Sequence, residues 1–87
     1  MENNLSIVKD QFKELPNNIE AEQAVIGSLL VNNEIFDEIS TIISGINFYD
    51  PMHQKIFNAV DTLIYKGMLA NPITLKNYFE DEKDDLN

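Results

Sequence analysis

Two stretches of this chain place apolar residues at the same five offsets. Ile35, Phe36, Ile39, Ile42 and Ile43 fall at i, i+1, i+4, i+7 and i+8; Ile56, Phe57, Val60, Leu63 and Ile64 repeat the spacing. Such a stripe stays on one side of a 3.6-residue helix and scatters over both faces of a strand, so it commits each stretch to an amphipathic helix. Two matched stripes in an 87-residue chain predict that the helices bury these faces in one shared core. No strand-like alternation competes with them. The expected class is all-α, a small orthogonal bundle of about four helices.

Punctuation around the stripes sets the expected boundaries. The second helix is read from about Glu34 to Ser44, with Gly45 as a left-handed C-terminal cap. The third opens at Asp50-Pro51, an N-cap carboxylate followed by proline at the first helical position, and closes at Gly67. Before them, Asn17 and Glu20 have capping-box spacing ahead of a helix over Ile19–Val31, whose Val25, Ile26, Leu29 and Leu30 form a broad apolar face. A shorter fourth helix is expected with Thr74 as N-cap, burying Leu75, Tyr78 and Phe79 and fraying over Glu80–Asp85. Met1 to Pro16 reads as a disordered leader, although Leu5, Val8, Phe12 and Leu15 share a helical face. The domain proper is then 17–87. Its expected centre is Val25, Leu29, Phe36, Ile39, Ile43, Phe48, Ile56, Phe57, Val60 and Leu63.

Charge narrows the partners. Fifteen acidic residues face six basic ones, all lysine, for a formal charge of −9. Phosphate neutralisation supplies most non-specific nucleic-acid affinity, and no arginine is present to fork onto phosphate or guanine. Direct nucleic-acid binding is not expected; proteins with basic patches are the expected partners. There is no cysteine, and no apolar run approaches the roughly 18 residues of a membrane span. A cytoplasmic protein is the default.

No catalytic or metal constellation is apparent. His53 is the only histidine and is read as structural or superficial. Glu20 and Glu22 diverge by about 200° around a helix, which does not suit paired acid–base work on one substrate. Both are assigned to capping and the helix dipole. The three glycines lie singly at 27, 45 and 67, so no phosphate-cradling loop is present. Gly27 costs about 1 kcal/mol relative to alanine inside a helix, for which close approach of a neighbouring helix is the expected compensation. Phe48 and Tyr49 are expected to plug the gap between the second and third helices.

The run Asn18-Ile19-Glu20-Ala21-Glu22-Gln23-Ala24-Val25-Ile26-Gly27-Ser28-Leu29-Leu30, followed by Phe48-Tyr49, His53, Ile56-Phe57 and Thr74-Leu75, resembles the N-terminal domain of the bacterial replicative DNA helicase, the DnaB family. The order and spacing of these fragments carry the resemblance, with Glu20, Ala21, Glu22, Gly27, Phe48, Tyr49, His53, Phe57 and Thr74 as motif positions of structural rather than catalytic role. It implies a helical head that in the family precedes a helical hairpin, the two forming a collar on a hexameric ring. Implied partners are other copies of the helicase, primase and a helicase loader. ATP and magnesium belong to a downstream motor domain, so no cofactor, metal or catalytic residue is expected in these 87 residues, which read as a truncated piece. Met68–Thr74 lacks the acidic residue usual before the threonine. The alternative is a stand-alone helical adaptor or regulator of helicase or primase, since a related fold ends primase. A small enzyme using Asp50, His53 or the glutamates is the remaining class.

Overall fold

The structure is a computed structural model that describes residues 18–86, with side chains described through Lys83. The leader expected over Met1 to Pro16 and the cap assigned to Asn17 lie outside the described residues. Four helices follow in order: α1, Ile19–Val31; α2, Phe36–Ile39, entered through a 3-10 turn at Asn33–Ile35; α3, Pro51–Tyr65, preceded by a 3-10 turn at Gly45–Asn47; and α4, Pro72–Leu86. The described residues contain no strand, and the all-α class holds.

α1 begins at Asn18, whose side chain accepts from the Ala21 amide at 3.0 Å. α3 starts as its sequence dictates, with the Asp50 carboxylate accepting from Met52 N at 2.7 Å and Pro51 inside the first turn. It ends at Gly67, the one described residue with positive φ, at 78°. There Met68 N reaches back to Leu63 O and Gly67 N to Ile64 O, each at 2.9 Å, the paired bonds of a left-handed glycine cap. Gly45, expected to do the same for α2, instead starts the 3-10 turn, buried against the Asn58 side chain.

The second stripe is therefore realised differently from the first. α2 is one turn long because Ser40 Oγ and Thr41 Oγ donate to the carbonyls of Asp37 and Glu38, and Thr41 N and Ile42 N take i−3 partners. Local side-chain bonding competes with the helix ladder, and the β-branched run Thr41-Ile42-Ile43 gives the helix little in return. Ile43 still reaches the core, while Ile42 turns out to solvent.

α1 and α4 both pack against α3. Val25, Leu29, Phe36, Ile39, Ile43, Phe48, Phe57, Val60 and Leu63 are buried in one cluster with Ala59, Ala70 and Leu75; Ile56, Tyr78 and Phe79 are half-buried at its edge. Asn33 locks two remote segments together. Its amide nitrogen donates to Leu29 O (2.8 Å) and Ala70 O (2.9 Å), and its oxygen accepts from Ala70 N (2.8 Å). One side chain thus substitutes for a short backbone ladder between the end of α1 and the α3–α4 connection. α4 is capped by Asn71, which accepts from Ile73 N and Thr74 N at 2.9 Å. Thr74, expected as the cap, sits three residues later and accepts in return from Asn71 N, a reciprocal arrangement like a capping box. α4 also continues as helix to Leu86 rather than fraying after Phe79.

Gly27 corrects another expectation. It lies on the exposed face of α1, and a Cβ built there meets nothing within 4 Å. With no neighbour to crowd, only the propensity gain remains. Gly27→Ala is expected to stabilise the domain by about 0.8–1 kcal/mol, raising Tm by roughly 4–8 °C. A thermal melt in which Tm falls would restore the close-packing role.

Candidate functional site

The sequence feature that organises this site is the register of Glu22. It lies at i of the row 22, 25, 26, 29, so α1 carries it inward with Val25, Ile26 and Leu29. The residue is 2 % exposed. Burying a carboxylate is costly unless it is paired and hydrogen-bonded, and here it is both. Oε2 accepts from Tyr49 N at 2.5 Å; Oε1 accepts from Asp50 N at 3.2 Å and lies 2.8 Å from His53 Nδ1.

The two amides are consecutive and immediately precede α3. They form a small concavity of N–H groups at a helix N-terminus, a position that favours an anion, and the anion is the chain's own Glu22. The first turn of α3 closes the arrangement from the other side. His53 reaches Glu22, and Gln54 Nε2 donates to Phe48 O at 2.6 Å. The Phe48–Asp50 segment is held by α1 through its amides and by α3 through its carbonyl. Glu22 therefore serves the dipole of α3 rather than that of its own helix, whereas Glu20 remains exposed in the first turn of α1.

Phe48 is buried with its ring centroid 5.1 Å from Phe57 and 6.4 Å from His53, and Phe57 in turn stands 5.4 Å from Phe36. Tyr49, expected to plug the same gap, contributes only its amide; its ring points outward at 64 % exposure. Of the nine motif positions, the structure gathers Glu22, Phe48, Tyr49, His53 and Phe57 into this one latch. Ala21 is buried in the first turn of α1, and Glu20, Gly27 and Thr74 lie apart from it. Asp50 is bound twice, as acceptor for Met52 N and donor to Glu22.

The hydrogen bonds from Tyr49, Asp50 and His53 to Glu22 and from Gln54 to Phe48 all run within the cluster, and their chemistry is that of a fastening. Among the described residues, no three His, Cys, Asp or Glu side chains converge to hold a metal ion, and no helix is long and apolar enough to cross a membrane. Asn33 is the other structural residue that the sequence reading passed over, since its partner Ala70 lies 37 positions away.

Similarity to known proteins places the chain in a family. Residues 14–87 match the model of the DnaB-like helicase N terminal domain. The replicative DNA helicase DnaB of Rickettsia felis is 43 % identical over 63 residues, covering 72 % of this chain and 13 % of that protein. The helicase of Buchnera aphidicola subsp. Baizongia pistaciae is 40 % identical over 77 residues, 88 % of this chain and 17 % of that protein. That of Rickettsia bellii is 38 % identical over 69 residues, 79 % and 14 % respectively. The chain thus spans well under a fifth of these relatives, and no solved structure is significantly similar to it. With a family match running from before α1 through α4, the chain belongs to the DnaB-like helicase N-terminal domain family.

Proposed function

We propose that this domain is the interaction head of a bacterial replicative DNA helicase. It organises subunits in the collar of a hexameric ring and contacts primase or a loader in the cytoplasm. ATP hydrolysis with magnesium and DNA unwinding reside in parts of the helicase outside these 87 residues. The family match over residues 14–87 carries this reading. The internally satisfied latch and the −9 charge support it, because they suit a rigid protein-binding module better than a reaction centre or a nucleic-acid groove.

The test uses the 87-residue chain beside the full-length helicase of its gene. The chain alone is expected to show no ATP turnover and no single-stranded DNA binding at about 150 mM salt. The full-length protein is expected to form a hexamer that recruits its primase, and deletion of residues 18–86 should abolish recruitment. Micromolar DNA binding by the chain alone, or undiminished primase recruitment after the deletion, would overturn the proposal.

A further inference from the structure

Between Lys13 and Lys55 the chain has no lysine or arginine, while it carries seven acidic residues: Glu14, Glu20, Glu22, Glu34, Asp37, Glu38 and Asp50. Glu22 is consumed by the latch, and Glu20, Glu34, Asp37 and Glu38 are exposed. Within the same region, eleven consecutive residues present four large apolar side chains to solvent: Ile42 (50 %), Ile46 (84 %), Tyr49 (64 %) and Met52 (55 %). A fold this small does not gain from leaving such groups outside its core, and concentrated exposure of this kind marks interaction surfaces.

From these two observations we infer that the connection from α2 into α3, Ile42 to Met52, is a docking surface for an amphipathic protein segment that is apolar on one face and lysine- or arginine-rich at its edges. The inference rests on the reading of the domain as an interaction head and assigns that role to one surface. Charge sets the partner's sign, because the exposed carboxylates of Glu20, Glu34, Asp37 and Glu38, with no lysine from Glu14 to Gln54, attract a basic segment and repel an acidic one. The apolar groups supply the contact area, with Tyr49 as the central anchor, a residue type enriched at binding hot spots.

The surface is also ordered in advance. Glu22 holds the Tyr49 and Asp50 amides, Gln54 holds the Phe48 carbonyl, and Asn47 Oδ1 accepts from Ser44 N at 2.7 Å. Little backbone freedom is left to lose on docking, which favours affinity. Phosphate-bearing partners are disfavoured by the same carboxylates.

The test titrates the 87-residue chain with three synthetic 18-residue helical peptides at about 150 mM salt: leucine–lysine amphipathic, the same with glutamate for lysine, and the same with serine for leucine. The amide spectrum and fluorescence anisotropy are followed together. The leucine–lysine peptide is expected to bind, with shifts concentrated at residues 40–54, and the other two are expected to bind at least about tenfold more weakly. The paired substitution Ile46→Ser with Tyr49→Ser should weaken binding by at least about tenfold, with an unchanged circular dichroism melt because both side chains are exposed. Ile73→Ser with Leu69→Ser, in the first turn of α4 and on the connection before it, should leave binding unchanged. No binding, equal binding of the serine or glutamate peptide, shifts centred on the acidic turn Glu80–Glu82, or indifference to the Ile46/Tyr49 change would each overturn the inference. None of these outcomes touches primase recruitment by the full-length helicase, which tests the broader reading separately.

Discussion

Replacing Glu22 with alanine is expected to destabilise the domain by about 3–5 kcal/mol, the usual cost of removing one partner of a buried pair. Three donors converge on that carboxylate: Tyr49 N, Asp50 N and His53 Nδ1. The truncation leaves all three facing a site too enclosed to rehydrate fully, and each unsatisfied group costs about 1–3 kcal/mol. A single core of this size rarely supplies more than about 3–5 kcal/mol, so Glu22→Ala should leave the chain largely unfolded at 25 °C. Glu22→Gln is the sharper comparison because it preserves volume. If the glutamine oxygen faces Asp50 N and His53, its NH2 group meets Tyr49 N–H; if the amide turns over, the NH2 group meets Asp50 N–H. Either way one backbone donor faces another donor, and the expected loss is about 1–3 kcal/mol. Urea unfolding followed by circular dichroism ranks the variants. A Glu22→Ala midpoint close to that of the parent would show that the latch contributes nothing.

What the sequence made legible was whatever has a local or periodic trace. Phe57, Val60 and Leu63 share a stripe, Asp50-Pro51 and Gly67 bracket it with cap chemistry, and α3 follows from those signals alone. α1 was equally plain at Ile19–Val31. The buried carboxylate was legible too, but in a signal that composition obscures. Glu22 stands in register with Val25, Ile26 and Leu29, and an acid in an apolar row calls for a buried partner, for which His53 is the one histidine available. The first-turn position of Glu22 points instead to the dipole of its own helix. The same row shows why Gly27 faces solvent: two positions beyond Val25, it points about 200° away from the core face. The length of α2 was harder to see, because its stripe is helical while Ser40 and Thr41 spend their hydroxyls on nearby carbonyls. The Asn33–Ala70 bridge left no trace, since nothing in a separation of 37 residues marks two groups as neighbours.

Phe57→Ala is expected to cost about 3–5 kcal/mol, and the reason is position as much as size. The ring is 3 % exposed and stands between Phe36 at 5.4 Å and Phe48 at 5.1 Å. It thereby joins the short helix α2 and the segment before α3 to the longest stripe in the core. Each tilted aromatic pair adds about 0.5–1.5 kcal/mol beyond the area buried, so removing Phe57 ends two pairs and opens a cavity. Phe57→Leu retains most of the apolar bulk and should lose only the pair contributions, roughly 1–3 kcal/mol for two. The effect should also reach the latch. Phe48 rests on Phe57, and the carbonyl of Phe48 is the group that Gln54 holds beside the amides bound by Glu22. Phe57→Leu and Glu22→Gln then loosen one segment from opposite sides, and their costs should not add. A double-mutant cycle in urea is expected to give a coupling of at least about 0.5 kcal/mol, the lower end for residues sharing a network. Strict additivity would mean that the aromatic cluster and the carboxylate hold the Phe48–Asp50 segment independently.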